Sequence, residues 1–272
     1  MKITKLLALL MVLVLAVSMF ACDKNDDGDS SDTTSAMTAE DVIDVLKGYF
    51  SNVDDINLSG TSEVKTTENG TTDTEVTEIV MQLEGLKSAS PNMYIEVSSE
   101  EEATTNKIIY VDGIMYMEVD FMGTPMKVKR AVDKEEATAE YADIGSVFPY
   151  DTAALVKTSI EYKDGNCVMT VTGLSRDEFI KNVLLIDRDN FTTDDEYQDA
   201  VAEYEFDSEK DFIMVVTVNS KGKLVSVETT EKYTYNGTVT ENYDVINVSY
   251  DKPNITVPKD ADEYTDMSDF YG

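Results

Sequence analysis

Lys107-Ile-Ile-Tyr-Val-Asp112-Gly113-Ile-Met-Tyr-Met-Glu118 decides the fold class. Two runs rich in β-branched and aromatic residues flank an Asp-Gly pair, which supplies the two positive φ angles that a two-residue type I′ turn demands. The segment therefore reads as a tight antiparallel hairpin. The same grammar recurs along the chain. Asn236-Gly237 separates two Tyr- and Thr-rich runs, Asp164-Gly165-Asn166 joins residues 159–163 to 167–173, and Ser220-Lys221-Gly222 joins residues 212–218 to 224–233. Upstream, Thr77, Ile79, Met81 and Leu83 alternate with Glu78, Val80, Gln82 and Glu84, the period of a strand with one buried face, and Met93, Ile95 and Val97 repeat it. After Val239 the apolar phase holds Tyr243 and Val245, then switches to Ile246, Val248 and Tyr250. That switch predicts a bulge bending the strand near residue 245.

Helical signals sit around and between these strands. Thr38-Ala39-Glu40-Asp41 reads as an N-cap with acids in the first turn, and Val42, Val45, Leu46, Tyr49 and Val53 follow at helical spacing. Residues 133–144 and 151–158 have helix-compatible composition. Residues 175–186 open on a capping-box pattern, Ser175-Arg176-Asp177-Glu178, and a weaker helix is expected over 194–204. The predicted class is α+β: a long antiparallel β-meander with an N-terminal amphipathic helix and helices inserted between strand groups, all in one domain over residues 37–272.

Composition removes whole classes of function. The 272 residues carry 22 Lys+Arg against 54 Asp+Glu, a formal charge of −32, with no His and no Trp. Without imidazole there is no Ser-His-Asp or Cys-His catalysis and no His-ligated zinc. An acid excess of this size repels phosphate, so nucleic acid is not a partner. Carboxylate pairs can run glycoside hydrolysis without His, but here the acids fall in solvated runs such as Glu100-Glu101-Glu102, and no isolated acid sits in an apolar setting. No catalytic constellation, metal site or cofactor is expected.

The N-terminus carries an address. Lys2 and Lys5 precede twelve apolar residues, 6–17, a stretch of signal-peptide length and too short to span a bilayer. Ser18-Met19-Phe20-Ala21-Cys22 then resembles a bacterial lipobox, with Met19 where Leu is usual and Phe20 where a smaller residue is usual. The expectation is a lipoprotein signal peptide over residues 1–21, acylation at Cys22, and anchoring to the cell membrane on its extracellular or periplasmic side. Residues 22–36 read as an acidic flexible tether. Asp23, Asn25, Asp27 and Gly28 imitate the opening of an EF-hand loop, but Thr34 stands where the bidentate Glu is required. With Cys22 acylated, Cys167 has no partner within the chain, so no disulfide holds the fold, and Cys167 reads as a small buried strand residue.

Lipobox, acidic tether, amphipathic helix and meander together resemble the exported LolA-like and LppX/LprG-like lipoproteins, in particular uncharacterised Gram-positive members. The stretches that carry the resemblance are Ile109-Tyr-Val-Asp-Gly-Ile-Met-Tyr116, Val216-Thr-Val-Asn-Ser-Lys-Gly-Lys-Leu-Val225 and Tyr250-Asp-Lys-Pro-Asn-Ile-Thr-Val-Pro-Lys-Asp260. They are hairpins and terminal strands, not binding motifs, so no site residue is carried over. The resemblance implies an open half-barrel whose concave apolar sheet, closed by helices, holds acyl chains or another hydrophobic ligand.

The residues themselves give a second pointer. Met81, Met93, Met115, Met117, Met126, Met169 and Met214 fall in predicted strands at the inward phase, shared by Leu83, Ile95 and Val128. Unbranched thioethers repack around varied shapes, which suits a lipid pocket. They equally fill gaps in a closed core. Two functions stay open: a carrier of a hydrophobic ligand lined by these ten residues, or a surface-displayed, non-catalytic interaction module that binds a partner protein or the cell wall through its acidic outer face. A cavity on the methionine phase favours the first, and an exposed patch or sheet edge the second.

Overall fold

The computed structural model describes residues 36–49, 53–88, 90–99, 104–121, 124–133 and 152–267. The leader, Cys22, nearly all of the tether and all but Asp133 of the predicted helix over 133–144 lie outside them.

Helix α1 (Ala39–Gly48) starts where Thr38 and Asp41 form a reciprocal capping box, and it buries Val42, Ile43 and Leu46. It ends at Gly48, so Tyr49 and Val53 reach the core from beyond the helix. The strands are β1 (Ile56–Glu68), β2 (Thr71–Glu84), β3 (Asn92–Ser99), β4 (Thr104–Val111), β5 (Ile114–Phe121), β6 (Thr124–Ala131), β7 (Leu155–Lys163), β8 (Asn166–Leu174), β9 (Tyr204–Glu205), β10 (Phe212–Val218), β11 (Leu224–Tyr235), β12 (Thr238–Ser249) and β13 (Thr265–Asp266). They form one open sheet in the order β13-β6-β5-β4-β3-β2-β1-β12-β11-β10-β8-β7, with β9 pairing β11 beyond the end of β10. Helices α2 (Arg176–Asn182) and α3 (Asp194–Ala202) lie between β8 and β9, capped by Ser175 and Thr193.

The turns follow the predicted chemistry. Asp112-Gly113, Asp164-Gly165 and Asn236-Gly237 all sit at positive φ on both residues, as type I′ geometry requires. Asn69-Gly70 does the same between β1 and β2, a hairpin the alternation argument does not find.

Three expectations change. Residues 151–158 are not a helix: a 3₁₀ turn at Thr152–Ala154 leads directly into β7, because β-branched Val156, Thr158 and Ile160 and the ladder to β8 override local helix propensity. No bulge interrupts β12. Its pairing with β1 runs unshifted from Asn57↔Ser249 to Thr67↔Val239, and with β11 from Ser226↔Asn247 to Tyr235↔Thr238. The phase switch at residue 245 instead records apolar residues on both faces, with Tyr243 pointing outward, 42% exposed, its hydroxyl donating to Glu228. The helix expected over 175–186 stops at Asn182, and Val183 and Leu184 continue into the core without it.

The main core lies on the concave face, where α1 packs on β7 and β10. A smaller cluster covers the opposite face of β4 and β5: Tyr264 sits edge-on against Tyr116 at 5.3 Å beside Val111, and its hydroxyl donates to Glu118 at 2.6 Å. Lys127 ties this C-terminal strap down through Asp260 and Glu263, and β13 adds to β6 in parallel. Among the described residues no helix is long and apolar enough to cross a membrane.

Gly173 has φ +82°, and a Cβ built there stands 2.6 Å from the backbone oxygen of Glu209, whereas Gly222, φ +70°, faces open space. Gly173→Ala is expected to cost about 2–4 kcal/mol, against about 1 kcal/mol for Gly222→Ala. Urea denaturation with unchanged slope reads both, and equal costs would contradict the close approach.

Candidate ligand-binding face

Cross-strand partners in an antiparallel ladder point to the same side of a sheet, so the register sorts the residues by face. All ten positions of the methionine phase lie on the concave face. They fall into rows that run across the strands. The first row passes from Met115 through Tyr110, Met93 and Leu83 to Ile56. The second passes from Val128 through Met117, Ile108, Ile95 and Met81 to Leu58. The third passes from Val97 through Ile79, Gly60, Ile246, Val227 and Val216 to Met169.

Burial divides the ten. Met81, Leu83, Met93, Met115, Met169 and Met214 are fully enclosed in the core cluster, while Ile95 and Met117 pack against it half-buried. Val128 is also half-buried. Met126 does not have the enclosed position its phase predicts: it is 40% exposed, near the start of β6, where its partner is Val119 on β5. Cys167 is a free, buried thiol on β8, as its sequence context implies.

The fourth row is different in kind. It runs Ser99, Thr77, Ser62, Asp244 and Thr229 across β3, β2, β1, β12 and β11 before reaching Met214 on β10. Ser99, Thr77 and Ser62 are buried. Burial pushes the Asp244 carboxyl above its usual range, and a hydrogen bond from Ser62 partly offsets this. One step further along the strands stand Asn242 and Glu231, where Asn242 Nδ2 donates to Glu231 Oε2 at 3.4 Å. Next to them Tyr233, raised by burial and by Glu231, takes hydrogen bonds from Thr240 and Asn242. Reasoning from apolar alternation misses this polar row. Its signal was present as Ser and Thr continuing the inward period of β1, β2 and β3 after the apolar residues stop.

No family model matches the chain, and no curated protein matches it. Among solved structures it is similar to LprF from Mycobacterium bovis, at 8% identity over 81% of this chain and 95% of that chain, TM-score 0.38. It is similar as well to a LolA superfamily protein from Nitrosomonas europaea, at 12% identity over 83% and 97%, TM-score 0.21. A DUF1329 family protein from Desulfovibrio piger shares 10% identity over 80% and 94%, TM-score 0.24.

Because Asp244 is raised in the folded chain, the fold binds its proton more tightly than the unfolded chain does, and its ionisation lowers stability as pH climbs through and above the ordinary value of 3.8. Asp244→Asn removes that ionisation and keeps an acceptor for Ser62. The variant is expected to be more stable than the parent at neutral pH and equal to it below the ordinary Asp range. Paired denaturant melts across acid pH read this, and a difference independent of pH would contradict it.

Proposed function

We propose that this chain is a membrane-anchored cell-envelope lipoprotein, held through acylated Cys22, whose half-barrel binds or carries a hydrophobic ligand on its concave face without catalysis. The observation that carries this reading is the second apolar row: Val128, Met117, Ile108 and Ile95 stand side by side on the open wing of the sheet, each half-buried. Apolar side chains left partly in water on a concave surface are the state a ligand relieves, at about 25 cal/mol for each Å² it covers. Met117 adds a flexible thioether able to conform to chains of different shape. The enclosed methionines of the first row serve as the packed floor beneath it.

The test is native mass spectrometry of the chain without its first 21 residues, purified from bacterial cytosol in the absence of detergent, followed by solvent extraction and lipid analysis. Met117→Glu and Ile95→Glu are the variants of choice, because both positions are half-buried; Met115, 2% exposed, would take the fold down with it. A co-purifying lipid that the variants lose is the expected result. A clean apo mass with no uptake of added lipids would overturn the carrier reading and favour an interaction module, for which the exposed edge strand β7, with Val156 and Tyr162 open to solvent, is the surface to probe.

A further inference from the structure

The two ends of the sheet are finished differently. β13 adds to β6 at one end, whereas β7 closes the strand order at the other, a nine-residue strand without Pro or Gly whose ladder among the described residues is the one to β8. An edge of this length invites a further strand. β7 is exposed from Val156 to Ser159 and again from Glu161 to Lys163. Its two large apolar residues there stand open, Val156 50% and Tyr162 57% exposed, although the backbone N–H of Met37 donates to the Tyr162 hydroxyl.

The hairpin fixes which backbone groups face outward. Asp164 and Gly165 form a two-residue turn, so Lys163 and Asn166 exchange hydrogen bonds across it, and every second residue of β7 back to Lys157 bonds to β8 in the same way. Val156, Thr158, Ile160 and Tyr162 therefore aim N–H and C=O away from the sheet. A second β7 laid antiparallel about Ser159 matches this phase. Thr158 then exchanges bonds with Ile160 of the other copy, and Val156 with Tyr162, so that the two exposed apolar residues cover each other. On the convex side Lys157 stands opposite Glu161 of the other copy, twice over, in the non-hydrogen-bonded positions where side chains come closest. Moving the axis to Ile160 sets Lys157 against Lys163, and moving it to Thr158 leaves Tyr162 opposite Ala154, before the strand begins. Lysine on an edge deters chance partners. Here its spacing from Glu161 admits one register of its own strand.

We infer that β7 is a self-association edge: two copies of this chain pair β7 with β7, antiparallel about Ser159, and join their sheets into one with both concave faces on the same side. A chain of net charge −32 repels its own copy at a distance. At physiological ionic strength that repulsion is screened beyond about 8 Å, and β7, with Lys157 and Lys163 against Glu161, is a cationic stretch within an acidic chain. The pairing is therefore a contact effect that acts once the edges meet.

Sedimentation velocity of the chain without residues 1–21, which retains every described element, tests this at physiological ionic strength across micromolar to millimolar concentrations. A dimer that fills as concentration rises is expected. Lys157→Glu and Glu161→Lys each set like charges opposite one another and are expected to weaken the dimer about tenfold or more. An equal mixture of the two variants is expected to restore it, because both contacts of the mixed dimer are then Glu opposite Lys. Both positions are exposed, so neither substitution burdens the core, and recovery in the mixture shows that each variant has folded. A chain that stays monomeric throughout, a dimer indifferent to Lys157→Glu, or a mixture that fails to recover overturns the inference. All three outcomes leave the carrier reading standing, since no residue of β7 belongs to the row proposed to hold the ligand.

Discussion

Everything in this molecule hangs on the ladder between β1 and β12. Eleven unshifted residue pairs, from Asn57↔Ser249 to Thr67↔Val239, join the strands built from the first half of the chain to those built from the second. All other long ladders except that between β8 and β10 are hairpin neighbours in sequence. Without β1–β12 there would be two half-sheets, each with one face bare. Gly60 lies inside this ladder, where a side chain would meet the carbonyl oxygen of Val245, its Cβ only 2.7 Å away. The absence of a side chain there lets the two halves approach closely in the middle of the concave face, which brings the rows of both into line.

That alignment turns a list of hydrophobic residues into a surface with structure. Because the register runs unshifted from β5 through β1 to β11, and the one shift in the β10–β11 ladder, between Thr217 and Val218, lies outside the rows described, rows on separate hairpins continue one another, and polarity becomes a function of height along the strands. The core cluster takes in the lower rows and, at the β10 end of the upper ones, Met214 and Phe212 as well. The half-buried wing around Met117 and Ile95 leaves apolar surface partly in water, and that is the physical ground for the binding proposed above.

The sequence announced the parts whose signals are local. Asp112-Gly113, Asn236-Gly237 and Asp164-Gly165 fixed their hairpins, Thr38 and Asp41 fixed the start of α1, and the period-two phase of Met81, Met93, Met115, Met169 and Met214 placed every one of them on the correct face. What it hid depended on partners far away. β1 escaped notice because its inward alternation, Ile56 and Leu58, gives way to Gly60 and Ser62, residues whose suitability shows only when β12 and β2 stand beside them. The first part of β7, residues 155–158, reads as helix because pairing with β8, not propensity, determines it, whereas residues 159–163 read correctly as strand from the turn that follows them. Burial was the least legible property: phase says which way Met126 and Met115 point, but only the neighbours say that one is exposed and the other enclosed.

The position of β1 also governs how the chain comes into being. A ribosome delivers β1 long before β12, so until β12 arrives the first strand shows a long row of unpaired backbone groups on one side, an open template for the wrong partner. The outward residues of that hairpin answer the hazard: Glu63, Lys65, Glu78 and the neighbouring threonines keep the waiting strand hydrated and charged. In a chain of net charge −32, like charges on the waiting hairpin repel those of a sister chain through the interval in which the sheet is still missing its middle.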